Sequence, residues 1–156
     1  MSDNSRAIRE AVENYFQDEG FKFSGFDEKG IAKTGFKIKS KLGHADIVFL
    51  AQEDRLQLRS MLPIKADEET LAPVAEFLLR ANYGMRLGCF DFDFRDGEIS
   101  FRVTIYCGEE MEAPTHEQID HSVDICLAMV QRYGDGLLKV LYGMKTPEEA
   151  IEEIEG

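Results

Sequence analysis

The spacing of apolar residues changes period along the chain, and each change marks an element. Ile8, Val12 and Phe16, with Tyr15 beside them, recur at helical spacing and Gly20 follows as a stop, which predicts a first helix over residues 5 to 19. From Phe21 to Leu62 the period falls to two: Phe21 and Phe23, then Phe36, Ile38 and Leu42, then Ile47 and Phe49, then Leu56, Leu58 and Leu62. Turn-forming residues at Asp27 to Gly30, Leu42 to His44 and Gln52 to Asp54 divide this stretch into an antiparallel meander of about four strands. Ile47 to Ala51 is apolar on both sides and is expected to be the central strand. Helical spacing returns at Leu71, Val74, Ala75, Leu78 and Leu79, with Thr70 as N-cap, Pro73 in the first turn and an end at Asn82 to Gly84.

The next stretch, Cys89 to Glu98, alternates acids with aromatics and ends in Asp96-Gly97. A two-residue turn there pairs Arg95 with Glu98, Phe94 with Ile99, Asp93 with Ser100, Phe92 with Phe101, Asp91 with Arg102 and Phe90 with Val103. Apolar residues then face apolar ones, with opposite charges on the other side. The same acids do not make a calcium loop. Counted from Asp91, the sixth and twelfth positions should be glycine and glutamate, and they are Asp96 and Arg102.

Thr115-His116-Glu117-Gln118 is a capping box opening a long third helix through Ile119, Val123, Cys126, Leu127, Val130 and Tyr133, with a kink or break expected at Gly134 and Gly136. Thr146-Pro147-Glu148-Glu149 opens a short acidic helix over 147 to 155, expected to pack on the body because it is too short to persist alone. The reading is one α+β domain spanning 1 to 156, with an antiparallel sheet of about five to six strands packed against helices in the order α-β-β-β(-β)-α-β-β-α.

Composition changes this picture only by exclusion. A chain of 156 residues with 44% apolar and 31% charged residues can bury a full core. No apolar run approaches the ~20 residues of a membrane span, and the first residues lack a signal sequence, so a cytoplasmic location without a membrane partner is expected. The net charge of -12 argues against nucleic acid as a partner. Cys89, Cys107 and Cys126 are too scattered for a disulfide framework or a zinc site and are expected to be buried thiols.

Candidate chemistry is sparse. His44, His116 and His121 form no metal pair, and no nucleophile elbow, zincin, P-loop or dinucleotide motif occurs. The expectation is no catalysis, no cofactor and no metal; an unrecognised pairing such as Cys107 with His121 is the remaining enzymatic reading. Lys37, Lys39 and Lys41 alternate with Phe36, Ile38, Ser40 and Leu42, and Arg55 and Arg59 alternate with Leu56 and Leu58. This places a basic outer face on an acidic protein. It is either a solvated face with lysines guarding a strand edge or a docking surface for an acidic segment, the chain's own tail included.

Two stretches carry a family likeness. Leu78-Leu79-Arg80-Ala81-Asn82-Tyr83-Gly84-Met85-Arg86-Leu87-Gly88-Cys89-Phe90 runs from a helix ending near an asparagine, through a glycine-containing linker, into a strand and its partner. The chain closes on Tyr142-Gly143-Met144-Lys145-Thr146-Pro147-Glu148-Glu149-Ala150-Ile151. With the long helix to Tyr133, this resembles the YbjN family over most of residues 5 to 155. Its members are described as sensory-transduction regulators with no established reaction. The resemblance implies the fold of class I type III secretion chaperones, small acidic dimers that hold a secreted partner in extended form.

It therefore implies a non-enzymatic protein-binding regulator acting as a homodimer. The dimer would bury part of the second helix or the hairpin, with Leu71, Val74, Leu78, Phe92 and Phe101 as interface residues. An extended partner would add to a sheet edge, with its side chains in grooves between helix and sheet. The alternative is a small-molecule-sensing regulatory domain holding a ligand between the helices and the sheet.

Overall fold

The computed structural model describes residues 3–156. Its elements are α1 (Ser5–Glu19), β1 (Ile31–Lys37), β2 (His44–Ala51), β3 (Arg55–Lys65), α2 (Leu71–Asn82), β4 (Cys89–Phe92), β5 (Glu98–Tyr106), α3 (His116–Leu141) and α4 (Pro147–Glu155). The strands form one antiparallel sheet in the order β1-β2-β3-β5-β4, so the fold is the expected α+β class with five strands.

The helices gather on one side of the sheet. α3 lies across β2, β3 and β5, α1 packs beside it on β2 and β3, and α2 and α4 pack against α3 and each other. Ile47, Phe49, Leu56, Leu58, Ile99 and Phe101 point into this layer and are fully buried. From α1 the residues Ile8, Val12, Tyr15 and Phe16 meet them, and from α3 Ile119, Val123, Cys126, Val130 and Leu137. Asn4, at the head of α1, is tied down from two directions. Its N–H donates to the Glu53 carbonyl at 2.8 Å, and its side-chain amide donates to the Cys107 carbonyl at 2.7 Å.

Four expectations change. The meander has three strands. Phe21 and Phe23 lie in a loop alongside β1 and pack on α1, with the Phe23 ring stacked 4.5 Å from that of Phe16. Alternation there reflects a chain crossing the rim of the core and not a paired strand. The central strand is β3, with β2 one place out; Val48 and Leu50 are half-buried on the open side. Third, α3 runs unbroken through Gly134 and Gly136, both buried. A Cβ on Gly134 would come 2.6 Å from Ser40 Oγ, and one on Gly136 would come 2.6 Å from Ile154 Cδ1. The glycines admit close neighbours and do not break the helix.

The fourth change is the hairpin register. Cys89 pairs with Arg102, Phe90 with Phe101, Asp91 with Ser100 and Phe92 with Ile99, two residues away from the expected register. The loop is Phe94 to Gly97, closed by the Asp93 N–H on the Glu98 carbonyl at 3.0 Å and the Gly97 N–H on the Asp93 carbonyl at 2.7 Å. The Asp93 carboxylate accepts the Arg95 N–H at 2.9 Å, and this local turn bond favours the longer loop over the two-residue turn. A shift of two leaves every side chain on its expected face.

α4 packs on the body as expected. The Thr146 hydroxyl and the Glu149 side chain form a reciprocal cap, Ala150 is buried, and Tyr133 donates from its hydroxyl to Glu155. Glu153 sits between Lys139 and Lys145, whose hydrogen bonds hold its carboxyl down at about 2. The tail is thus on the helix side and does not cover the basic strands.

Candidate partner-binding face

The side of the sheet away from the helices is uncovered in the chain. Alternation and register place its side chains in rows that cross all five strands. One row runs Lys33, Val48, Arg59, Arg102, Cys89, and the next runs Gly35, Asp46, Met61, Ser100, Asp91. Ile31, Leu50, Gln57 and Thr104 form a further row, and Lys37 and Arg55 stand at the ends of β1 and β3. The result is a surface of half-exposed aliphatic residues bordered by cations.

A hydrogen-bonded ion network on this face is centred on Asp91. Arg102 grips the carboxylate with both Nε and Nη2, at 2.7 and 3.2 Å. Arg59 Nη1 donates to the same carboxylate at 2.9 Å and to Ser100 Oγ at 2.9 Å. Burial pushes the Asp91 carboxyl up, but the hydrogen bonds and charges of Arg102 and Arg59 outweigh it and hold the group below the usual carboxylate range. One anion thus fixes two guanidiniums, and the cluster retains positive charge. Lys33 and Lys37 are exposed and make no ion pair among the described residues.

Of the residues expected on this face, Lys37, Arg55 and Arg59 are there. Lys39 and Lys41 are not: β1 ends at Lys37, and the following turn bends back against α3. The Lys39 N–H donates to Gln131 Oε1 and the Lys41 N–H to Asp135 Oδ1, each at 2.7 Å. The sequence reading missed Lys33, and it set Arg102 against Asp91 without counting it in the basic face. Lys33 alternates with the buried Ala32 and Thr34, a signal hidden by placing the strand too late. Val74, Leu78 and Phe101 are enclosed within the protomer and cannot themselves meet a second copy; Leu71 and Phe92 are half-exposed.

The edges of the sheet are largely occupied where strands end it. The Asn82 side chain donates to the Phe90 carbonyl at 3.0 Å and accepts the Phe90 N–H at 2.7 Å, filling the outward groups at the middle of β4. On β1, Asp27 takes the outward groups of Ile31, and Ser24 takes those of Lys33.

The thiols are not poised for chemistry. Burial raises the Cys89 thiol even though Arg102 pulls against it, and burial alone pushes Cys126 up to about 12. Cys107 is enclosed, also raised by burial, and directs its Sγ at the Ile105 carbonyl, whereas His121 is exposed. A neutral thiol is a poor nucleophile. Among the described residues no group of three His, Cys, Asp or Glu side chains could hold a metal ion, and no helix is long and apolar enough to cross a membrane.

The sequence model of the YbjN family, "Putative bacterial sensory transduction regulator", matches residues 9–139. Among solved structures, this chain is similar to the crystal structure of YbjN, "a putative transcription regulator from E. coli", with a TM-score of 0.56 and 12% identity over 79% of this chain and 85% of that chain. At that identity the likeness is one of fold. No curated protein matches the chain.

Proposed function

Because the chain belongs to the YbjN family, we propose that it is a non-catalytic regulator that works in the cytoplasm by binding a protein partner, and that its open sheet face takes an acidic segment of that partner. The observation that supports this reading is the contrast of charge. A chain of net charge -12 keeps Lys33, Lys37, Arg59 and Arg102 together on one uncovered sheet face, around Val48, Leu50 and Met61, with Arg55 at its end paired to Asp54. The aliphatic centre supplies burial, and the cations select the sign of the partner and speed its approach. The chain's overall charge disfavours nucleic acid on the same face. Two basic faces repel, so a homodimer, the other part of the proposal, would join elsewhere, through side chains still exposed such as Leu71 and Phe92.

The test is co-purification from cell extract with the tagged wild type and with the Lys33→Glu/Lys37→Glu variant. A stoichiometric protein retained by the first and lost from the second supports the reading. Equal retention by both, or recovery of nucleic acid in its place, overturns the assignment of the face. Light scattering at working concentration decides the dimer, and a monomer removes it.

A further inference from the structure

Arg59 on β3 and Arg102 on β5 stand directly opposite each other. The Cys107 N–H donates to the Asp54 carbonyl, which makes those two residues a hydrogen-bonded pair. Counted along the unbroken register, Arg59 and Arg102 are then a non-hydrogen-bonded pair, the kind whose side chains lie closest. Like charges so placed repel, and the sheet offsets them with a single carboxylate, Asp91. One negative charge against two positive ones leaves the pair a net cation.

The hydrogen bonds already made show where a second anion finds donors. Arg102 commits Nε and Nη2 to Asp91, with Nη2 also beside Cys89 Sγ, and leaves Nη1 without a partner. Arg59 commits Nη1 to Asp91 and Ser100, reaches Gln57 Oε1 with Nη2 only at 3.4 Å, and leaves Nε without one. Neither unclaimed nitrogen is enclosed, so both reach solvent. The flanks of the pair differ in charge. The row that holds Asp91 also holds Asp46, whereas the row on the other flank sets Gln57 opposite Thr104, two uncharged hydrogen-bonding side chains. In the arginines' own row, Lys33 stands beyond Val48.

We propose that Arg59 and Arg102, with Gln57 and Thr104 on their uncharged flank, form a phosphate-binding site that reads a phosphorylated serine or threonine in the partner's segment. The proposal rests on the reading of this face as the partner-binding one and names the anion it selects. A carboxylate has two oxygens and one charge, and a single guanidinium fork satisfies it, as Arg102 does for Asp91. A phosphate monoester carries a charge of about -1.5 to -2 on three oxygens, enough to bridge both guanidiniums and still accept from the Thr104 hydroxyl or the Gln57 amide. Its charge matches what Arg59, Arg102 and Lys33 leave once Asp91 is subtracted. Asp91 acts as a positioning residue, holding both guanidiniums in place before the phosphate arrives. Val48 and Leu50 lie beside the pair and offer the residues flanking the phosphate an apolar surface.

The experiment uses the full chain and three fluorescent nonapeptides, Glu-Val-Asp-Val-X-Val-Asp-Val-Glu with X as phosphoserine, glutamate or serine, read by anisotropy at one salt concentration. Phosphoserine should bind at least about tenfold tighter than glutamate at the same place. Arg102→Lys keeps the charge but loses the planar fork, and should bring phosphoserine down to the level of glutamate. Thr104→Glu should do the same by repulsion; its side chain is exposed and outside the ion network, so it serves if Arg102→Lys fails to fold. The phosphorus NMR resonance of the phosphopeptide should shift with the wild type and stay unmoved with either variant.

Equal affinity for the phosphoserine and glutamate peptides overturns the proposal and leaves a face for acidic segments standing. Binding of none of the three overturns it as well, and co-purification then decides whether the face binds a partner at all. A preference for phosphoserine that survives both variants places the phosphate elsewhere on the chain. Inorganic phosphate that binds as tightly as the phosphopeptide makes this a site for a free anion, and the proposal falls.

Discussion

On the helix side of β3, Leu56, Leu58 and Ser60 are fully enclosed, while one residue along, Gln57, Arg59 and Met61 on the opposite side stay half-exposed. The two sets belong to one strand and differ only in parity. The enclosed set is constrained by volume, because close packing leaves no room for another shape. The open set is constrained only by compatibility with a pleated surface, so its chemistry is free to serve a partner. Arg59 and Arg102 show what that freedom permits: two cations side by side, bridged by one carboxylate, at a place where the core would admit none.

The sharpest break in this comparison is on the enclosed side. Phe101→Ala removes a ring that is fully buried and packed edge-on to Phe90 at 5.1 Å, and should cost about 3–5 kcal/mol in denaturant unfolding while leaving open-face chemistry intact in whatever remains folded. Asn82→Ala is next. It leaves the Phe90 N–H and C=O without their partner, and about 1–3 kcal/mol should be lost. A loss below ~0.5 kcal/mol would mean that water replaces the amide.

Asp91→Asn should cost about 1–2 kcal/mol, the network being part-buried and partly screened. The Asp91 carboxyl is depressed in the folded chain, so its contribution is present above the ordinary carboxylate range and disappears as pH falls through the lowered value. Stability of wild type and Asp91→Asn should accordingly converge in acid and separate toward neutrality; parallel curves would exclude the ion network as the source. Smallest of all is Lys33→Glu/Lys37→Glu, which should stay within about 0.5 kcal/mol of wild type while partner binding falls. A large loss of stability there would mean that the open face is structural after all.

Where the sequence reading succeeded, one local rule decided the outcome. The stripe Ile8, Val12, Phe16 specifies α1, and Thr115-x-x-Gln118 and Thr146-x-x-Glu149 cap α3 and α4 as their side chains dictate. Where it failed, two local rules competed or a distant contact decided. Asp96-Gly97 signals a tight turn, but the Asp93 carboxylate claims the Arg95 N–H and sets a longer loop. Gly134 and Gly136 read as breakers because the elements that need their missing side chains, around Ser40 and Ile154, lie far away in sequence. The basic face was legible as an idea but not in its membership. Placing the strand at 36 to 42 put Lys39 and Lys41 on a surface they never reach and hid Lys33. Asn82 stands in the stretch that carries the family likeness, but its task of closing the β4 edge needs the third dimension.

The double anchorage of Asn4 bears on the order in which the molecule can assemble. The residue that heads α1 is held by the Glu53 carbonyl in the β2–β3 turn and by the Cys107 carbonyl just past β5, a separation of 103 residues for the second bond. The Glu53 anchor comes with the turn between β2 and β3, but the Cys107 anchor exists only once β5, the last strand of the sheet, is in place. Fixing the head of α1 in full therefore closes a loop that takes in every strand of the sheet, a contact of the long-range kind that carries the largest closure entropy.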